Sequence, residues 1–195
     1  MPDRDDSAPR LDVRALRFSA GITAALLLAC VFLGITGLAT ARVPAGWFAC
    51  QPLSGECLSP GPVWALPAAT PLQRALDPAF LLLLAVALLF LWGLVSPRTS
   101  PGVALFRAAI APRLGPPHTV ADPVATRFAQ GLGLALTVAG LLLQLAGVPW
   151  AIPLTAALAF VAAFLNAAFG LCVGSWIHLT LQRTGLVGRH RMPLP

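Results

Sequence analysis

The sequence predicts an all-α integral membrane protein with four transmembrane helices, built as a parallel two-fold repeat of helix pairs. Three observations predict this fold class. The 195 residues are 57% hydrophobic and only 10% charged, whereas soluble domains carry about 25% charged residues. Four apolar runs are long enough to cross a hydrocarbon core of about 30 Å as helices. An internal similarity at an offset of 110 residues relates the first run to the third.

The apolar runs define the predicted domain organisation. None contains a charged residue, as the cost of burying a charge in lipid requires. The predicted spans are 18–39, 78–96, 128–148 and 151–177. An outer loop at 40–77 and a cytoplasmic loop at 97–127 connect them within a membrane domain at 13–182, flanked by cytoplasmic tails at 1–12 and 183–195.

The distribution of arginine predicts the orientation in the membrane. All 13 basic residues are arginine, and 11 of them lie in the two tails, at their borders or in the 97–127 loop. Because positive residues are retained on the inner side, we expect a multi-pass protein of the bacterial plasma membrane with both termini in the cytoplasm. Arg17 and Arg127 are the expected anchors in the inner headgroup region. No nucleic-acid partner is expected, since binding needs a basic face on a folded domain.

The internal repeat rests on the segments that open the first and third spans. Asp12 to Gly21 matches Asp122 to Gly131, with ten identities in 26 ungapped positions from Asp12 to Gly37. Both spans start on the same side, so a pseudo-two-fold axis along the membrane normal is predicted. Shared helix-start chemistry without duplication is the alternative interpretation.

The proline-rich outer loop contains Cys50 and Cys57. Proline at this density is expected to prevent regular helix or sheet. In an oxidising compartment the two cysteines can close a small disulfide loop worth about 2 kcal/mol. Their spacing differs from that of thiol oxidoreductases, so a structural bond is favoured over a redox-active pair or two free thiols.

Polar and small residues concentrate near the inner end of the fourth span. Cys172, Ser175 and His178 recur every three residues and so share one broad helix face. The lone amide is Asn166, and the glycine pair with small-xxx-small spacing is Gly170 and Gly174. These residues predict close contact with a neighbouring helix. Helix packing is the favoured interpretation of this stretch, and Cys172 is its candidate reactive thiol.

Two segments resemble a known bacterial membrane family. "LNAAFGLCVGS" at 165–175 and "RLGPPHTVADPVATRFAQGLG" at 113–133 resemble the last helix, and the segment before the third helix, of the family called domain of unknown function 4395. The resemblance covers nearly the whole chain except the tails and the outer loop. It implies a compact helical membrane protein with no established activity. It also implies a Cys-x-x-Cys step where this chain has Ser175, so Cys172 cannot close a disulfide within that step.

These features leave three functional hypotheses. The sequence holds no phosphate-binding glycine loop, HExxH, zinc spacing or Ser-His-Asp set, and no intramembrane carboxylate for a proton-driven transporter. No metal or cofactor is expected. A non-enzymatic scaffold or docking component at the cytoplasmic face, whose oligomeric state stays open, is therefore favoured over an enzyme. A thiol or sulfur relay through Cys172 to a cytoplasmic sulfurtransferase or thioredoxin-like partner is the alternative. A quinone-linked disulfide-forming oxidase is the weaker one, because the Cys50/Cys57 spacing is wrong.

Overall fold

The computed structural model describes residues 11–43, 63–97, 99–113, 120–121 and 123–169. This part of the chain is almost entirely helical, which confirms the all-α class. The helices are α1 (Val13–Thr36), α2 (Ala65–Ala68), α3 (Pro71–Ala75), α4 (Pro78–Val95), α5 (Pro101–Ala109), α6 (Pro123–Leu145) and α7 (Ala151–Phe169). Within the described residues, four of them are long and apolar enough to cross a membrane, namely α1, α4, α6 and α7.

Two membrane-length helices, α1 and α6, begin five residues before their predicted spans, whereas α4 and α7 begin at the predicted residues. Helix α1 starts at Val13, inside the polar lead-in, because Asp12 provides an N-cap there. The Arg14 N–H donates to Asp12 Oδ1 at 2.9 Å, which satisfies one of the free donors of the first turn. Capping and not hydropathy therefore determines the start of α1.

Helix α6 ends in a glycine-based C-cap. The Val148 N–H donates to the Leu143 carbonyl, and the Gly147 N–H donates to the Gln144 carbonyl, both at 3.0 Å. Gly147 has φ +83°, the left-handed conformation that this motif needs and that glycine adopts without a Cβ penalty. The helix consequently stops at Leu145, before the apolar run is exhausted.

The expectation that 40–77 lacks regular structure is wrong for the described part of that loop. Strands β2 (Arg42–Val43) and β3 (Val63–Trp64) pair antiparallel, and α2 and α3 follow. Pro71 occupies the first turn of α3, where no backbone donor is needed. Thr70 and Gln73 form a capping box around it. Proline here starts a helix instead of preventing one.

The chain divides into two compact units, each of which takes a part of every long helix. The first unit comprises Met1–Ala25, Ala87–Ala135 and Phe160–Pro195, and the second comprises Leu26–Val86 and Leu136–Ala159. The second unit is cored by apolar side chains that are fully buried, among them Leu27, Leu66, Leu83 and Ile152.

The core of the first unit joins α5 to α1. Val103 and Phe106, on one face of α5, are buried against Ala15, and the Phe18 ring lies 5.8 Å from the Phe106 ring. A further antiparallel pair, β1 (Leu11–Asp12) with β4 (Val120–Ala121), lies beside it. The apolar spacing of Val103 and Phe106 thus buries one face of a short amphipathic helix.

Candidate functional site

Asp77 is the buried carboxylate of the second unit. It precedes α4 and caps it, since Oδ1 accepts the Ala79 N–H at 3.2 Å and the Asp77 carbonyl accepts the Leu81 N–H at 3.0 Å. Only 5% of the residue is exposed. In the sequence, Asp77 is simply the last residue of the 40–77 loop, so its burial is a finding of the structure.

Gln144 pairs with this carboxylate from α6. Its side chain is fully buried, and Nε2 donates to Asp77 Oδ2 at 3.3 Å. Gln144 Oε1 has no hydrogen-bond partner among the described residues. A buried acceptor without a hydrogen-bond donor destabilises the folded state. A donor placed beside Gln144 Oε1 would therefore stabilise it.

Burial raises the pKa of the Asp77 carboxyl above its ordinary value, because the charged form is desolvated, and the Ala79 N–H lowers it in part. Desolvation is the larger effect. A carboxyl in such surroundings retains its proton to higher pH than an exposed aspartate does.

Cys30 lies on α1 beside the same helix start. It is fully buried, and its Sγ donates to the Ala79 carbonyl at 3.4 Å. This contact fits the role of a small, mostly apolar side chain in helix packing. Within the described residues, no group of three or more His, Cys, Asp or Glu side chains could hold a metal ion.

Arg74 links the short helices of the second unit to the end of α6. Its guanidinium donates to three backbone carbonyls, those of Leu66 at 3.0 Å, Pro67 at 2.8 Å and Leu145 at 2.6 Å. The Leu145 carbonyl belongs to the last turn of α6, where the helix dipole favours a cation. Arg74 is therefore a structural brace in a loop that otherwise has few basic residues.

Two tryptophans of the second unit are in contact. The rings of Trp64 and Trp150 meet edge to face with centroids 6.4 Å apart, and the Arg42 guanidinium lies 4.2 Å from the Trp64 ring. Trp150 has φ +66°, which is rare for a bulky residue, and its carbonyl accepts the Leu154 N–H at the start of α7.

In the first unit, Arg17 lies at the end of an apolar groove. Its Nε and Nη2 donate to the Ala167 and Ala168 carbonyls of α7 at 3.1 and 2.7 Å. The open groove of about 530 Å³ is lined by residues of α1 and α7, namely Arg17, Phe18, Gly21, Ile22, Ala25 and Ala167. Among the described residues, the groove combines an apolar wall with one cation.

Most of the predicted site residues lie outside the described residues. These are Cys50, Cys57, Gly170, Cys172, Gly174, Ser175 and His178. The disulfide, the thiol site and the glycine contact stay predictions. Arg127 is exposed on α6 and Asn166 is partly buried on α7, and their roles as anchor and packing residue also stay predictions.

The pairing of Asp77 with Gln144 is not predicted by the sequence. The available signal was weak: each is an isolated polar residue at the margin of an apolar run. Their separation of 67 residues gave no reason to place them together.

A family model described as domain of unknown function (DUF4395) matches residues 11–183 of the chain. No curated protein and no solved structure matches it.

Proposed function

Since the chain belongs to the DUF4395 family, whose description states no activity, we propose its function from its own structure. It is a non-enzymatic, four-helix membrane scaffold whose arginine-rich end docks onto anionic lipid headgroups at the cytoplasmic face. The observation that carries this proposal is the groove that ends at Arg17. The apolar wall of the groove can accommodate a lipid acyl chain. The Arg17 guanidinium uses only two of its five N–H donors on α7 carbonyls, so its charge and its remaining donors can bind a phosphate.

Helix α5 supports the same proposal. Val103 and Phe106 hold it against the start of α1, whereas Leu105 and Arg107 lie exposed on its other side. A short helix with exposed apolar and basic side chains suits the headgroup region of a bilayer.

The lipid proposal predicts selective retention of anionic lipid. Native mass spectrometry of the full chain should show phosphatidylglycerol adducts in preference to phosphatidylcholine. Arg17→Gln should reduce this preference about fivefold, because one arginine near an anionic surface is worth about 1 kcal/mol. Arg17→Lys, which keeps the charge, should retain it, and Arg42→Gln in the second unit is the matched control. Equal loss in the Arg17→Gln and Arg42→Gln variants would contradict the proposal.

Cysteine labelling tests the proposed orientation together with the outer disulfide. A membrane-impermeant maleimide applied to intact cells should label Cys50 and Cys57 only after reduction, and should leave Cys172 unlabelled. Cys30, which is fully buried, is an internal negative control. Labelling of Cys172 in intact cells would overturn the orientation, whereas labelling of Cys50 and Cys57 without reduction would exclude the disulfide.

We also propose that the two helix pairs are related by the predicted repeat. Helices α1 and α6 begin at Val13 and Pro123, which keeps the offset of 110 residues. In the β1–β4 pair, Leu11 lies opposite Ala121, its equivalent at the same offset. Equivalent residues oppose each other in an antiparallel pair when a two-fold axis passes through it, so this register supports the repeat.

A further inference from the structure

We propose that Asp77 and Gln144 form a proton-binding site in the second unit. In the bound form, the neutral Asp77 carboxyl donates its hydrogen to Gln144 Oε1 while Gln144 Nε2 donates to Asp77 Oδ2. This proton-binding function is separate from the lipid docking proposed for the first unit. The ligand is a proton, and binding it converts a carboxylate and an amide into a doubly hydrogen-bonded acid–amide pair.

The hydrogen-bond inventory of the pair supports this assignment. An ionised carboxylate only accepts hydrogen bonds, whereas a protonated one adds an O–H donor. The bond from Gln144 Nε2 to Asp77 Oδ2 is already present at 3.3 Å, and Gln144 Oε1 is buried without a partner among the described residues. The last torsions of Asp and Gln side chains are soft, so a small turn of either group lets the acid hydrogen reach Oε1. One proton satisfies the unpartnered acceptor.

Among the described residues, no opposite charge holds Asp77 ionised. In the described part of the second unit, the other titratable or charged side chains are Cys30, Arg42 and Arg74. The Arg74 guanidinium is engaged by three carbonyls, and Arg42 stacks on Trp64. The Cys30 thiol donates to the Ala79 carbonyl, and the parts of α6 and α7 that belong to this unit, within 136–159, contribute neutral side chains only. Burial without a counter-charge favours the neutral acid.

The position that corresponds to Gln144 in the proposed repeat carries no polar side chain. At the offset of 110 residues, Gly34 of α1 corresponds to Gln144 of α6. Gly34 is buried against the start of α7, where an added Cβ would lie 3.0 Å from Pro153 Cγ. The three atoms nearest to such a Cβ belong to the apolar side chains of Pro153 and Ile152, and the Gly34 carbonyl accepts the Thr40 hydroxyl at 3.1 Å. We therefore attribute the Asp77–Gln144 pair to a role other than helix packing.

Carbodiimide labelling tests the proposal directly on the full chain in detergent micelles. Dicyclohexylcarbodiimide reacts with protonated carboxyls: the acid proton moves to a carbodiimide nitrogen, the carboxyl oxygen bonds to the central carbon, and rearrangement leaves an N-acylurea. At neutral pH, peptide mapping should place this adduct on Asp77, and the yield should fall as the pH rises through the Asp77 pKa. Asp12, a partly exposed residue whose side chain accepts the Arg14 N–H, is the reference position for non-specific labelling.

An Asp77→Asn variant gives the second measurement, and it keeps the helix cap because Asn and Asp cap equally well. The folded-state pKa of Asp77 is raised, so its contribution to stability is complete at low pH and is lost as the pH rises through that pKa. The unfolding temperature of the parent should fall over this interval, and that of Asp77→Asn should not. A carboxylic-acid C=O infrared band present in the parent should be missing in the variant. Absence of both the adduct and this band at neutral pH would overturn the proposal.

Discussion

Replacing Gly140 by alanine is expected to destabilise the second unit by about 1–3 kcal/mol, the usual cost of inserting a methyl group into a packed core. A Cβ at this position would overlap the Thr155 hydroxyl and would lie 3.0 Å from Thr155 Cβ and 3.2 Å from Leu83 Cδ2. The hydroxyl cannot move freely, because it donates to the Ala151 carbonyl at 2.7 Å. Alanine therefore forces α6 and α7 apart.

Gly131 provides a matched control in the same helix. No described atom lies within 4 Å of a Cβ built at Gly131, so Gly131→Ala should be neutral or should stabilise by about 0.5–1 kcal/mol through helix propensity. Both variants are compared with the parent by reversible unfolding in mixed micelles. Adding Thr155→Ala to Gly140→Ala should restore part of the loss by removing the overlapping hydroxyl. Equal losses at Gly131 and Gly140 would show that the contact with α7 is not the cause.

The second large effect is expected at Arg74. An Arg74→Met variant keeps the aliphatic stem but leaves the Leu66, Pro67 and Leu145 carbonyls without their charged donor. A hydrogen bond to a charged group contributes about 1.5–3 kcal/mol. Because water can replace part of these bonds at a partly exposed site, we expect a loss of about 3 kcal/mol in all.

Arg42→Met is the control for the Arg74 variant, since it removes an arginine of the same unit that stacks on Trp64. A cation–π contact at an exposed site contributes about 0.5–1 kcal/mol, so this variant should be clearly more stable than Arg74→Met. The same unfolding assay measures both. Indistinguishable stabilities would mean that the three carbonyl contacts do not brace the unit.

Both expected effects depend on contacts that sequence patterns do not reveal. Gly140 and Gly131 occupy the same kind of position in one apolar run, and only the neighbouring helix distinguishes them. In the sequence, Arg74 is only one of the two arginines outside the tails, their borders and the 97–127 loop. Two of its partners, Leu66 and Pro67, lie on α2 and the third, Leu145, lies on α6, and a backbone carbonyl has no signature in the sequence. Contacts of this kind become visible only when the helices are packed.

The sequence by itself determined the fold class, the number of membrane-length helices and the family. These properties depend on composition and on the length of apolar runs, which are local and follow from the cost of placing polar groups in lipid. The amphipathic face of α5 was likewise predictable from the spacing of Val103 and Phe106. Helix ends were less predictable, because a single cap such as Asp12 or Gly147 overrides hydropathy.

Only the tertiary structure decided which polar residues meet in the interior. Asp77 lies at the edge of an apolar run, directly before α4. Its side chain would be solvated if the start of this helix were exposed. The packing of α1, α4 and α6 instead leaves it 5% exposed and brings Gln144 to it across 67 residues. A carboxyl acquires proton-binding character from desolvation and from the partners around it. Desolvation and hydrogen-bond partners depend on the assembled core, so they cannot be predicted from the position of the residue in the sequence.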